Sequence, residues 1–107
     1  VLSGFTIQNG ITYYGGGVFC DNSSPILKNL IVMNNNAWNY GGGVYGDYSD
    51  FQILNSKIYF NNLLTGTQET YNATGGGVMS MRATPKISGC MITNNLSAHG
   101  GWRGEAI

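Results

Sequence analysis

Short runs in which apolar and polar residues alternate recur along the chain, and this period-two pattern is typical of β-strands rather than helices. Asn-, Gly- and Ser-rich turns separate the runs. Aligned on one another, the runs share a first apolar column of Leu2, Leu27, Leu54 and Ile87. Five residues later comes a second column of Ile7, Val32, Tyr59 and Ile92. We therefore predict short strands whose apolar columns stack into one core.

A glycine triplet followed by valine marks each repeat. The triplet begins at Gly15, Gly41 and Gly75, and a degraded copy occupies residues 104–107. Self-similarity at a period of about 20–50 residues is the signature of a solenoid. The sequence predicts an all-β, right-handed parallel β-helix of about four coils, each of roughly 25 residues with insertions. We expect residues 1–107 to form one such segment of a longer or stacked solenoid.

The segment before each triplet varies in length and is predicted to be a polar loop. It spans residues 11–14, 36–40, 63–74 and 96–103 in the successive repeats. Insertions at one corner of a solenoid often mark its binding face.

Asparagine recurs at one position of every repeat, as Asn9, Asn34, Asn61 and Asn94. Stacked side-chain amides can hydrogen-bond from coil to coil and so satisfy buried polar groups. We predict that these four residues form a structural ladder.

Composition excludes several function classes. Charged residues make up 9% of the chain and the formal net charge is zero, so neither nucleic acid nor an anionic membrane surface is an expected partner. No apolar run is long enough for a transmembrane helix. The two cysteines, Cys20 and Cys90, fall in the first and last coils, too far apart for a disulfide. Polar character is carried mainly by Asn, Ser, Thr and Tyr.

The pairing of Gly-Gly-x-Ile/Val with apolar-x-x-Asn resembles the GGAI and FxxN repeats of the polymorphic outer membrane protein family. The second element stands here as Val32-Met33-Asn34-Asn35, Tyr59-Phe60-Asn61-Asn62 and Ile92-Thr93-Asn94-Asn95. More broadly, the chain resembles right-handed parallel β-helix repeat proteins of the pectin-lyase-like superfamily. The resemblance implies a secreted or cell-surface protein without catalytic apparatus. We expect neither a cofactor nor a metal. A fold of this kind also carries polysaccharide-active enzymes, so fold alone does not decide function.

Two functions are therefore compared. The first is a non-enzymatic, adhesin-like solenoid that acts as a stalk, or that stacks end to end into a fibre. The alternative is a fragment of a polysaccharide lyase or hydrolase. Asp21 and Asp47, each three residues after a triplet valine, would stack about 4.8 Å apart and could act as acid and base or hold Ca²⁺. Met81 interrupts this column, and aspartate is also an ordinary turn residue.

Aromatic residues are the stronger indication of function. Tyr14, Trp38, Tyr40 and Trp102 lie just before the triplets and are the candidate residues for binding a glycan or a protein. Phe19, Tyr45 and Met79 follow the triplet valines, which predicts an outward stripe. Alternatively, the loop aromatics fold back and cover the bare glycine backbone.

Three sequons, at Asn22, Asn72 and Asn95, are candidate sites for N-glycosylation. Asn22 and Asn72 are expected on loops, whereas Asn95 is expected to be less accessible.

Overall fold

The computed structural model of the protein describes residues 1–64, 75–96 and 105–106, and every regular element within them is a β-strand. The strands are β1 (Leu2–Ser3), β2 (Thr6–Gln8), β3 (Ile11–Tyr14), β4 (Val18–Asp21), β5 (Ile26–Lys28), β6 (Ile31–Met33), β7 (Asn36–Tyr40), β8 (Val44–Asp47), β9 (Gln52–Leu54), β10 (Lys57–Tyr59), β11 (Asn62–Leu63), β12 (Val78–Met81), β13 (Lys86–Ser88), β14 (Met91–Thr93) and β15 (Glu105–Ala106).

The strands form four sheets, and each strand pairs with the strand four places further along the chain, except that β12 pairs with β15. Sheet A has the order β1-β5-β9-β13, sheet B has β2-β6-β10-β14, sheet C has β3-β7-β11, and sheet D has β4-β8-β12-β15. All pairs are parallel except β12 with β15. A chain that returns to the same sheet after every fourth strand winds as a parallel β-solenoid. The predicted all-β parallel architecture is therefore confirmed.

The strand register corrects two apolar columns in the third repeat. Ile53, not Leu54, lies between Leu27 and Ile87 in sheet A. Ile58, not Tyr59, lies opposite both Val32 and Ile92 in sheet B. Both positions therefore carry aliphatic residues in every repeat, and Ile53 and Ile58 are buried.

Among the described residues, the main core lies inside the four sheets and consists of stacked aliphatic residues, Cys20 and the ring of Phe51. The triplet valines occupy one column, and Val44 and Val78 are buried as predicted. Phe51 is fully buried and lies under Gly46, where an added Cβ would come within 2.2 Å of Phe51 Cε1. The ring therefore occupies volume that exists only because the facing strand carries no side chain at that position.

Two segments predicted as loops are strands of sheet C. Residues 11–14 form β3 and residues 36–40 form β7, with β11 pairing on the far side of β7. Ala37 and Leu63 pair in register and make a small second core of buried residues. Because these side chains point inward and their backbone groups pair with neighbouring coils, the segments are extended rather than irregular.

The asparagine ladder is displaced by one residue from the prediction in all but the third repeat. Its members are Asn35, Asn61 and Asn95, and Gly10 takes the place in the first repeat. Nδ2 of Asn35 donates to Oδ1 of Asn61 at 3.0 Å, and Nδ2 of Asn61 donates to Oδ1 of Asn95 at 3.0 Å. The same two oxygens accept the backbone N–H groups of Asn35 and Asn61. Each Nδ2 also reaches a backbone carbonyl, so the buried amides are satisfied.

The predicted ladder residues Asn9, Asn34 and Asn94 have a different role. They are exposed and adopt φ values of 65, 56 and 55°, and Phe60 takes the equivalent position in the third repeat with φ 55°. A short polar side chain tolerates the left-handed backbone conformation better than most residues do. In the second and fourth repeats, the first asparagine of each pair forms the turn, and the second points inward and joins the ladder. The prediction assigned the ladder to the first asparagine and was wrong in those repeats.

Successive coils approach most closely at the glycine triplets. A Cβ on Gly16 would lie 2.4 Å from the carbonyl oxygen of Gly42, and a Cβ on Gly42 would lie 2.4 Å from that of Gly76. The backbone N–H of Gly16 donates to Gly41 O at 3.0 Å, and that of Gly42 donates to Gly75 O at 3.0 Å. The triplets therefore stack backbone on backbone, with no room for a side chain between coils.

The degraded fourth copy departs from the parallel pattern. β15 pairs antiparallel with β12, and Ala106 lies opposite Met79. In sequence, this copy keeps one glycine of the three.

Removing a ladder amide should destabilise the fold. Asn35→Ala removes the side-chain partner of the Gly10 N–H and of the Ile7 carbonyl, and it removes one of the two donors to Asn61 Oδ1. We expect a loss of about 1–3 kcal/mol in the free energy of unfolding, measured by urea denaturation. The matched control is Asn34→Gly, which keeps the left-handed turn and should change stability by less than about 0.5 kcal/mol. Equal losses in the two variants would contradict the ladder.

Adding one methyl group at a triplet should disrupt stacking. Gly42→Ala places a Cβ against backbone oxygens on the next coil, which cannot move aside as a flexible side chain can. We expect a loss of about 3 kcal/mol or more by urea denaturation. Gly4→Asn is the control, because the space around Gly4 is open and asparagine already occupies that corner at Asn29 and Asn55. A Gly42→Ala variant as stable as the parent would contradict the close approach.

Candidate recognition surface

Outward residues of sheet D create the candidate site. In β4, β8 and β12 the triplet valines point into the core, and the next residues, Phe19, Tyr45 and Met79, lie in register on the outer face. Two positions further along, Asp21, Asp47 and Met81 form a second outward column. The period of two along a strand places both columns on the same face.

Four aromatic rings meet where sheets C and D adjoin. Tyr14 and Tyr40 are paired in sheet C and stack with centroids 5.6 Å apart, while Phe19 and Tyr45 stack at 5.4 Å in sheet D. Tyr40 also stacks on Tyr45 at 5.3 Å, and Tyr14 contacts Phe19 at 6.1 Å. These separations are typical of favourable aromatic pairs, so the rings support one another. We call these four residues the aromatic cluster.

A β-bulge aligns the two tyrosines of the cluster. The register of β3 on β7 shifts between Thr12 and Tyr14, because one additional residue of β7 lies between Ala37 and Tyr40. A bulge changes the direction in which the following side chains point. Tyr40 consequently lies opposite Tyr14 and packs against sheet D.

Exposure differs sharply within the aromatic cluster. Tyr45 is 4% exposed, whereas Tyr14 is 41% and Phe19 is 50% exposed. The ring of Tyr45 is thus the base of the cluster, and its hydroxyl donates to Met81 Sδ at 3.9 Å. Burial, aided by the neighbouring Asp47 carboxylate and Tyr40, raises the pKa of Tyr45 to about 12. The exposed faces of Tyr14 and Phe19 are available to a ligand.

An ion pair borders the aromatic cluster. The Arg82 guanidinium donates two hydrogen bonds to the Asp47 carboxylate, and the Nε–Oδ1 distance is 2.9 Å. Arg82 also lies 4.2 Å from the centre of the Tyr48 ring, which is a cation–π contact. The hydrogen bond to Asp47 raises the pKa of Arg82 further, so the guanidinium stays charged. Tyr48 and Arg82 both adopt positive φ, at 50 and 55°.

The aromatic cluster and the ion pair enclose a shallow groove of about 370 Å³. It is lined by Tyr14, Phe19, Tyr40, Tyr45, Asp47, Met81 and Arg82. Its surface combines planar apolar rings with a donor and an acceptor held at fixed positions. A groove of this character suits a ligand with one apolar face and polar edges.

The other predicted binding residues do not all join the groove. Trp38 is half-buried on β7, and among the described residues its ring makes no aromatic contact with the cluster. Trp102 lies outside the described residues. Of the predicted outward stripe, Phe19 is exposed, but Tyr45 and Met79 are buried.

The sequons differ in the availability of their amides. Asn22 is exposed, and its Nδ2 donates to Asp21 Oδ1 at 2.9 Å. Asn95 belongs to the ladder, with its Nδ2 donating to Ile58 O, so a glycan there would break the stack. Asn72 lies outside the described residues.

The stacked aspartates occupy the predicted register, with Asp21 directly opposite Asp47. Their surroundings differ, because Asp47 is held by Arg82 and Asp21 is next to Asn22. Within the part of the chain that the structure describes, no group of three or more His, Cys, Asp or Glu side chains could hold a metal ion. Cys20 and Cys90 are both free thiols, and burial raises the pKa of Cys20 to about 11. A thiol with that pKa is a poor nucleophile at neutral pH.

Sequence reasoning missed Arg82 and Tyr48. Both occupy the corner after sheet D, at the position of Asn22 in the first repeat. Bulky residues are uncommon at positive φ, so two in one column are unusual for a turn position. The signal becomes visible once the repeats are aligned on the valines, because Asn22, Tyr48 and Arg82 each follow a triplet valine by four residues.

Comparison with family models, with curated proteins and with solved structures found no match to this chain. Across residues 1–64, 75–96 and 105–106, no helix has the length and apolar character needed to cross a membrane.

The raised pKa of Tyr45 predicts a specific alkaline dependence of stability. Below about pH 10 the Tyr45 phenol is neutral in both the folded and the unfolded protein, so its contribution to stability is independent of pH. Between about pH 10 and pH 12 the phenol ionises only in the unfolded protein, and the free energy of unfolding falls. We expect Tyr45→Phe to lose less unfolding free energy than the parent between about pH 10 and pH 12. Urea denaturation at a series of pH values measures this, and identical pH profiles for the two proteins would contradict burial of the phenol.

Proposed function

We propose that this chain is a non-enzymatic, adhesin-like β-solenoid segment of a secreted or cell-surface protein. In this proposal the stacked coils serve as a rigid stalk, and the aromatic cluster with its groove is the recognition surface. The observation that carries the proposal is the position of Tyr14 and Phe19, whose half-exposed rings are held on the outside of a hydrogen-bonded stack.

Rigidity favours recognition. Rings fixed by packing lose little conformational freedom when a ligand stacks on them, so more of the contact energy appears as affinity. Tyr14 and Phe19 are each supported by the buried Tyr45 beneath them. An aromatic patch of this kind suits a glycan or a protein surface, the two ligand classes that the sequence suggests.

Finer features of the fold belong to the same proposal. We take the winding to be right-handed, because crossover connections between parallel strands are right-handed in nearly all known cases. The repeated strands are then about four coils, each of roughly 25 residues with insertions at one corner. This is the geometry of the pectin-lyase-like superfamily and of the polymorphic outer membrane protein repeats that the sequence resembles.

The enzymatic alternative relies on Asp21 and Asp47. Glycoside hydrolysis needs one carboxyl that donates a proton and another that acts as base or nucleophile. Asp47 instead accepts a hydrogen bond from Arg82 at each of its two carboxylate oxygens, so the ion pair already engages both of them. This supports the non-enzymatic reading over the alternative.

Binding and cleavage assays distinguish the two functions. The protein is applied to a glycan array and to immobilised extracellular-matrix proteins, and is incubated separately with pectin, polygalacturonate and xylan. We expect binding that Phe19→Ala or Tyr14→Ala weakens by about tenfold or more, and no cleavage. Phe5→Ala is the control, because Phe5 is equally exposed but does not line the groove.

Two outcomes would contradict the proposal. One is polysaccharide cleavage by the parent protein that disappears in Asp47→Asn, which would establish the enzyme. The other is binding that Phe5→Ala weakens as much as Phe19→Ala does, which would place recognition elsewhere.

A further inference from the structure

We propose that the groove binds an uncharged pyranose, the neutral sugar unit of an oligosaccharide, and discriminates against uronic acids. This inference rests on the proposed recognition function and specifies its ligand class. It depends on three observations, namely the flat aromatic rings, the polar atoms beside them, and the charge of the surroundings.

The aromatic rings fit the apolar face of a sugar. A pyranose exposes C–H groups on its flat face, and aromatic rings offer a negative quadrupole face for such groups. Phe19 and Tyr14 present the accessible rings, and their centroids are 6.1 Å apart. Phe19 is parallel to the Tyr45 ring within 11°, so its orientation is fixed from behind.

The ion pair fits the polar edge of the same sugar. The two Asp47 oxygens each accept one hydrogen bond from Arg82, and each retains a further lone pair. Arg82 uses Nε and Nη2 towards Asp47, which leaves the hydrogens of Nη1 as donors. An acceptor and a donor side by side match two neighbouring hydroxyl groups, since each hydroxyl both donates and accepts. Stacking on Tyr48 holds the guanidinium in place.

Charge distinguishes a neutral sugar from an acidic one. Arg82 is already neutralised by Asp47, so the described residues that line the groove offer no uncompensated cation to a carboxylate. Asp21 lies one coil away from Asp47 and adds a negative charge on the same face of sheet D. The lysines belong to other sheets, with Lys28 and Lys86 in sheet A and Lys57 in sheet B. A uronate would therefore be repelled by the nearest charges, whereas a neutral sugar would not.

The test is isothermal titration calorimetry with the parent protein and three kinds of probe. The probes are neutral hexasaccharides of glucose, mannose and galactose, then hexagalacturonate, and then hexaglucosamine as a cationic sugar. We expect at least one neutral hexasaccharide to bind about tenfold or more tighter than hexagalacturonate, and no weaker than hexaglucosamine. Phe19→Ala should weaken that binding about tenfold or more, and Phe5→Ala should leave it unchanged.

A charge-altering variant tests the discrimination itself. Asp47→Asn removes one negative charge and leaves Arg82 uncompensated, so hexagalacturonate should gain affinity relative to the neutral probe by about tenfold. Urea denaturation of each variant shows whether the fold is retained. Arg82→Gln serves as the second variant, and it should lower affinity for the neutral probe without any gain for hexagalacturonate.

Failures of the inference and of the proposed function are distinguishable. Tighter binding of hexagalacturonate or hexaglucosamine that still depends on Phe19 would overturn the neutral-sugar assignment and leave the recognition surface intact. Binding only to matrix proteins, if it depends on Phe19, would likewise overturn the neutral-sugar assignment and leave the recognition surface intact. Binding neither to any of these probes nor to the matrix proteins, or binding that is indifferent to Phe19, would overturn both.

Discussion

The close approach of successive coils at the glycine triplets is the constraint on which the rest of the structure depends. At Gly42 the neighbouring backbone oxygen lies where a Cβ would have to be, so the coil spacing at this corner is set by backbone alone. Glycine is costly in conformational entropy, and this corner uses three in a row. Hydrogen bonds between the triplets, together with the packing of Val44 and Val78 behind them, offset that cost.

The adjacent corner solves a different problem. Where the chain turns inward, the backbone N–H groups of Asn35 and Asn61 would be buried without partners, and the amide oxygens of the next coil accept them. Each of these asparagines therefore hydrogen-bonds to the neighbouring coils, so the stability of one coil depends on the coils next to it. The strands of sheet D have the same coil spacing. The aromatic cluster depends on this spacing, because Phe19 and Tyr45 stack only when β4 and β8 are in register.

Much of the fold could be predicted from the sequence. Period-two alternation and the repeated triplets were sufficient for parallel stacked strands and for the valine column. The errors arose where two neighbouring residues fit one column about equally well. Leu54 and Ile53 are both aliphatic, and Asn34 and Asn35 are the same residue type, so composition could not choose between them. The strand register determines which residue of each pair belongs to the column, because only one of two neighbours can point inward. Sheet C was missed for a related reason, since Asn36 and Asn39 in β7 suggest a loop although Ala37 is buried between them.

The candidate site was only partly predictable. Tyr14 and Tyr40 could be selected by their position before the triplets, but their contact with Phe19 and Tyr45 depends on a bulge that the pattern does not reveal. The Asp47–Arg82 pair joins residues 35 positions apart across an insertion, so no local signal connects them. Such contacts follow from the coil spacing, which only the structure provides.

Coils held at the spacing of the triplets pair their ladder amides, and hydrogen exchange of these side chains tests that pairing directly. The Nδ2 hydrogens of Asn35 and Asn61, observed by nuclear magnetic resonance, should exchange at least about a hundredfold more slowly than those of the exposed Asn34, because exchange requires the coils to separate. Exchange of Asn35 and Asn61 as fast as that of Asn34 would mean that the ladder does not form, and the rigid stack beneath the aromatic cluster would have to be abandoned.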